Sequence, residues 1–326
     1  MALVWTVALM AQRIAVVDSI GSTQIYKTFD EAIRGATNNS VIYLPGGVFT
    51  HNYDVRIMKK LTIIGIGHKT ISENPDGHTV IDGALRFDKG SDGSALLGCY
   101  LKSSVYIGED GDEVKDVLIR YNAMNYMRVG YNCKGTNIDQ NYIRDGAEFN
   151  YSSGRLTNNI VGYVLALDDG FISNNIITSH YIKSERYVSW VPWSREYEDS
   201  HYYALMFCER TSITNNIICD SHIAYSNDDC WISGNMCVDE WGDDCITVGT
   251  VDWKDVFVDY QGITSVSDFH FKEGYKQYQG RVGIYSGDGF SDEQLAPVPY
   301  IVAKKIDQQT DASGKLNVKI RVKAGE

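Results

Sequence analysis

Proline is scarce in this chain, with five residues in 326, and glycine stops at thirty. That composition excludes a disordered or linker-rich chain and favours one continuous domain. Basic residues are also short, 30 against 42 acidic, giving a net charge of −12. Nucleic acid and anionic membranes both call for a basic footprint, so neither is an expected partner. An uncharged sugar or a cation-assisted site fits that charge. No apolar run reaches the roughly 18 residues of a membrane span. The seven cysteines, at 99, 133, 208, 219, 230, 237 and 245, fall in no metal-ligand spacing. Five of them crowd beside strand phrases late in the repeats, which predicts buried thiols packed as small hydrophobes. Their odd number leaves at least one thiol over even if a disulfide forms.

What the chain does have is a repeated phrase: a branched apolar residue, two positions, Asn, one position, and another apolar residue. It occurs six times, as Ile119-Arg-Tyr-Asn122-Ala-Met124, Ile138-Asp-Gln-Asn141-Tyr-Ile143, Leu156-Thr-Asn-Asn159-Ile-Val161, Ile172-Ser-Asn-Asn175-Ile-Ile177, Ile213-Thr-Asn-Asn216-Ile-Ile218 and Ile232-Ser-Gly-Asn235-Met-Cys237. A seventh copy, Val258-Asp-Tyr-Gln261-Gly-Ile263, has Gln in place of Asn. Self-similarity near twenty residues marks a solenoid. The successive steps are 19, 18, 16, 41, 19 and 26 residues, too uneven for a leucine-rich horseshoe. A parallel β-helix keeps its strands and lets its loops vary, so it fits. The apolar residues point inward from short strands. Asn sits where the chain bends, tolerates left-handed backbone and stacks its amide on the coil above. A second strand precedes most copies, for example Ala147-Glu-Phe-Asn-Tyr151 and Tyr163-Val-Leu-Ala-Leu167, giving two strands and one variable loop per coil.

The flanks have their own signals. Residues 1–11 read as the apolar core of a secretory signal ending in a small residue, although no basic start precedes it. The expected location is therefore secreted or at the cell surface, with the periplasm as an alternative. Thr28 with Glu31 three later is a capping box, so a short helix opens there. That helix, the turn Pro45-Gly-Gly47 and Leu61-Thr-Ile-Ile64-Gly65 together resemble the amino end of the pectin-lyase-like superfamily. The resemblance implies an all-β fold: a right-handed parallel β-helix with a short capping helix at its amino end. The expected organisation is a cap and first strands over 12–60 and the helix over 61–265. Residues 266–326 would hold a degenerate last coil, resembling those of exported bacterial β-helix proteins, and a hairpin with Leu316-Asn-Val-Lys-Ile-Arg-Val322 as its second strand. That hairpin could cap the last coil or pair with a second copy.

Candidate chemistry lies in three places. Gly242-Asp243-Asp244-Cys245-Ile246 resembles the paired-aspartate signature of polygalacturonase-type glycoside hydrolases. The resemblance implies that one aspartate is a general acid and its neighbours activate water, with His270 near the position of that family's histidine and Asp229 one coil earlier. Inverting hydrolysis uses two carboxyl groups roughly 6.5–9.5 Å apart. His270 lies between Phe269 and Phe271 rather than between glycines, and the family's Arg-x-Lys clamp has no counterpart. Asp220 and Glu240 are further catalytic candidates. The second place is an aromatic insertion at 183–202, where Tyr187, Trp190, Trp193, Tyr197 and Tyr202 offer faces for sugar rings. His201, and His222 on a following coil, would add polar contacts. The third is Glu109-Asp-Gly-Asp112-Glu113, whose hard oxygens could take calcium. Calcium on coil aspartates would point instead to the pectate lyases, with Arg128 as the base. Asp168-Asp169 and Asp228-Asp229 read as turn residues. No resident cofactor is expected. Two functions remain in view: polysaccharide recognition with hydrolysis by paired carboxylates, and a non-catalytic surface, adhesive or assembly protein.

Overall fold

The repeated phrase bends at its Asn, and the two halves of each copy enter different sheets. The computed structural model describes residues 13–51, 53–68, 77–178, 203–220, 222–261, 267–287, 289–290, 292, 300–306 and 318–323. The signal-like segment 1–11 and the aromatic insertion 183–202, with Tyr187, Trp190, Trp193, Tyr197, His201 and Tyr202, lie outside the described residues. Ile119, Ile138, Leu156, Ile172, Ile213 and Ile232 stand in register within an eleven-stranded sheet, parallel from Ser40–Tyr43 onward. The residues after each Asn, Met124, Ile143, Val161, Ile177 and Ile218, align in a second parallel sheet of fifteen strands. That sheet has two limbs. The first runs through these residues. The second begins with Val55–Ile57 and Leu85–Phe87, takes in the later halves of Ala123–Val129, Tyr142–Ser152 and Ile160–Leu167, and ends at Leu205–Met206 and Ala224–Tyr225. A full coil therefore has three strand segments, not the two expected, because the Asn divides what reads as one strand. The architecture is all-β and solenoid-like, built on long parallel sheets. Among the described residues no helix is long and apolar enough to cross a membrane.

Asn122, Asn141, Asn159, Asn175, Asn216 and Asn235 are fully buried in one line at the corner between the sheets. Each of the first five donates its backbone N–H to the side-chain oxygen of the next, at 2.8–2.9 Å. Side-chain amides donate to carbonyls of the preceding coil, as Asn159 Nδ2 does to Ile138 O at 2.9 Å. This satisfies corner groups that would otherwise be buried unpaired. The left-handed backbone falls one residue earlier than expected, at Tyr121, Gln140, Asn158, Asn174, Asn215 and Gly234. In the Asn-Asn doublets the first Asn makes the bend and the second builds the ladder.

Ile138, Ile143, Ala147 and their in-register neighbours fill the interior, with no exposed surface. Its amino end is closed by α1 (Phe29–Gly35), whose capping box at Thr28 and Glu31 is formed and whose Phe29, Ala32 and Ile33 are buried. At the other end the last coil is cut short. After Met236–Cys237 the chain crosses directly to Gly242, which stands against Ile232, and Trp241 packs on the core.

The segment expected as a degenerate last coil follows a different course. Phe257–Asp259 pairs antiparallel with Asp268–Phe271, outside both long sheets. Trp253, Phe257, Phe269, Phe271, Ile284 and Phe290 then cover the outward row Tyr142, Ile160, Ile176, Ile217 and Met236 on the first limb. Asn158 Nδ2 anchors this strap by donating to Ile284 O at 2.9 Å and Ser286 O at 2.7 Å. The outer face of a parallel sheet in this position is apolar and needs a cover. Tyr300–Ile306 and Val318–Lys323 form the expected antiparallel hairpin.

Candidate functional site

The strap packs on the first limb, and the second limb carries a groove of its own. Strand alternation sends Arg56, Arg86, Tyr106, Arg128 and Glu148 outward along this limb, each beside its neighbour in the next coil. Gly108, Glu109, Arg128, Tyr131, Asn150 and Tyr151 line a groove of about 510 Å³ there. Tyr131 is 62% exposed and Tyr151 41%. Arg128 lies between two carboxylates, its Nη1 3.4 Å from Glu109 and its Nε 3.6 Å from Glu148. That Nε is buried against Glu148, so the ion pair fixes the guanidinium at the floor of the groove.

Glu148 is itself buried although it points outward. Tyr163 covers it, donating its hydroxyl to Glu148 at 3.2 Å. The Tyr163 ring lies over Gly146, where a Cβ would come within 2.5 Å of it, so glycine keeps the ring flat against the sheet. Burial, and then the charge of Glu148, push the Tyr126 phenol well above its ordinary pKa. Tyr126 therefore stays a protonated donor at neutral pH.

The acidic loop expected to take calcium is engaged by cations of the chain. Glu109 pairs with Arg86 at 3.2 Å as well as with Arg128, and Asp110 pairs with Arg86 at 3.0 Å. Asp112 accepts the Lys89 N–H at 2.9 Å. Among the described residues no group of three or more His, Cys, Asp or Glu could hold a metal ion.

Asp243 and Asp244 occupy a corner of the last coil. Asp243 bridges to Ser233, and Asp244 takes the left-handed position (φ 50°) that Asn215 and Gly234 hold in preceding coils. Cys245 then stands at the ladder position, with the next N–H, from Ile246, donating to Asn235 O at 2.8 Å. The paired-aspartate motif is thus the last, degenerate copy of the repeated phrase. Both aspartates are exposed, and neither carboxylate makes a hydrogen bond or ion pair among the described residues. His270 lies in the strap, stacked on Tyr285 at 4.1 Å with Nδ1 2.7 Å from Asp268. No hydrogen bond, ion pair or ring contact joins it to Asp243 or Asp244.

Asp220 and His222 do come together. The His222 N–H donates to Asp220 at 2.7 Å, and its ring stands edge-on to Tyr203 at 5.5 Å. Asp220 follows the first-limb strand Ile217–Ile218, at the opposite end from the corner holding Asp243. Glu240 is exposed on the crossing beside Trp241. Asp168, Glu209 and Asp228 form successive bridges at the corner between the second limb and the first sheet, with Asp169 and Asp229 in left-handed turns. Arg210 pairs with Asp168, Asp169 and Glu209.

Glu148, Tyr126, Tyr131, Tyr151 and Tyr163 escaped sequence reasoning, although Glu148 lies in a recognised strand. Its alternation marked it as outward, but the coil register placing it beside Arg128 was the missing signal. No family model, no curated protein and no solved structure matches the chain.

Proposed function

We propose that this is an exported right-handed parallel β-helix protein of the pectin-lyase-like type that recognises a polysaccharide in the groove at Arg128. The observation that carries the reading is the groove in which Arg128, held between Glu109 and Glu148, is flanked by the exposed rings of Tyr131 and Tyr151. Sugar rings lay C–H faces on such tyrosines while their hydroxyls bond to charged groups beside them. The strap occupies the first limb, and the groove lies on the second. Recognition is put ahead of hydrolysis because, among the described residues, no hydrogen bond or ion pair links Asp243 or Asp244 to a histidine or another carboxylate. The test is affinity electrophoresis through gels containing acidic or neutral polysaccharides. Retardation of the wild-type chain, weakened in Arg128→Ala and Tyr151→Ala at unchanged melting temperature, supports the reading; equal retardation of all three overturns it.

A second reading, an assembly protein pairing through its hairpin, is favoured by Ile320 and Val322, which are 55% and 54% exposed. An isolated two-stranded hairpin is marginal in water. Under that reading Ile320→Asp lowers the molecular mass measured by sedimentation.

A further inference from the structure

The first sheet has an outer face that none of the above uses. In successive coils its outward positions read Arg155, Phe171, Ser212 and Trp231, in register. Phe171 is 47% exposed and Trp231 69%. The Arg155 guanidinium lies over the Phe171 ring, 4.9 Å from its centre, closing one side of that ring. On its other side the register continues through Ser212 to Trp231. Two ladder steps separate Phe171 from Trp231, about 9.6 Å at the usual strand spacing. The small Ser212 therefore floors a slot one coil wide between two aromatic side chains.

The surroundings of the slot select its occupant. Two residues along the same strands, Ser173, Thr214 and Ser233 form a partly exposed row of hydroxyls. On the other border runs the bridged acidic row Asp168, Glu209 and Asp228. Arg210 offsets part of that charge by pairing with Asp168 and Glu209. Aromatic walls with hydroxyls on one border suit a sugar ring, whose faces are apolar and whose rim is polar. The acidic border repels carboxylated or sulfated chains. The distance from one aromatic to the next is on the scale of one disaccharide in an extended glycan.

We propose that the slot between Phe171 and Trp231 is a second carbohydrate site, which takes an uncharged, extended glycan chain lying along the solenoid axis. It deepens the polysaccharide reading above but uses a different face and different residues, so the two fail independently. The rows also impose a direction: the glycan runs across the strands, one sugar ring over Ser212 while its neighbours lie against Phe171 and Trp231.

Native gels containing hydroxyethylcellulose, an uncharged glucan, and gels containing polygalacturonate, an acidic one, separate the two sites. The wild-type chain is expected to be retarded by hydroxyethylcellulose. A Phe171→Ala, Trp231→Ala double variant is expected to lose at least five-fold in apparent affinity for it. Ser212→Trp, which fills the slot while keeping both walls, should lose as much at an unchanged melting temperature. Arg128→Ala, which alters only the groove, should leave a residual retardation that the slot substitutions remove. The proposal is overturned if hydroxyethylcellulose fails to retard the wild type, or if neither slot variant differs from it. It is also overturned if the double variant sediments as a smaller species than the wild type, because the face would then join two copies of this chain.

Discussion

Asn159 accepts the Asn141 N–H at 2.8 Å and donates its own N–H to Asn175 at 2.8 Å. Its amide also donates to Ile138 O and Thr157 O. Asn159→Ala strips a buried N–H and buried carbonyls of their partners, and a loss of about 1–3 kcal/mol is expected in urea unfolding. A loss below the scatter of surface substitutions would show that the ladder adds no stability. The ladder was legible in the sequence because an invariant spacing repeats one requirement. Glu148 was not: its burial comes from Tyr163 in the next coil, and only the register reveals that contact. Gly146→Val, by displacing the Tyr163 ring, should weaken polysaccharide retardation several-fold while Tyr163→Phe keeps the ring and removes only its hydroxyl bond. Equal effects of both would assign the loss to the bond.

At the scale of elements, the strap and the closing corner were read differently from the sequence than they stand in the structure. Phe257 is fully buried, stacked on Trp253 at 5.8 Å and Phe271 at 5.6 Å. Phe257→Ala is expected to cost about 3–5 kcal/mol and to promote aggregation by baring the row from Tyr142 to Met236. The sequence showed the rhythm breaking there, but an aromatic-rich segment can stack on the last coil or fold back along the side, and local pattern does not distinguish them. Asp243 and Asp244 sit where the phrase predicts a turn. Asp243→Asn and Asp244→Asn should therefore shift stability by less than about 0.5 kcal/mol, and leave retardation by polysaccharide unchanged. A complete loss of polysaccharide cleavage in either variant would return the aspartate pair to the centre of the chemistry.

For the whole molecule, burial sets a pH dependence. It pushes the Cys99 and Cys208 thiols up from 9.0 to about 12, and raises Cys219 as well. A folded-state pKa above the unfolded one means the native chain holds its protons longer. The associated stability is complete below about pH 9 and is lost as pH rises from there toward 12. Urea midpoints should stay level from pH 7 to 8.5 and fall steadily above 9, and a midpoint that rises with pH would contradict the burial of these thiols. The solenoid, its cap and its hairpin were readable because each rests on local signals repeated or placed at chain ends. The groove was not, because it is assembled from Glu109, Arg128 and Tyr151, one from each of three successive passes of the chain. The most direct measurement is a structure with an oligosaccharide bound. The account predicts saccharide in the groove, with a sugar hydroxyl at the Arg128 guanidinium and a ring against Tyr131 or Tyr151; saccharide lying across Asp243 and Asp244, with the groove empty, would contradict it.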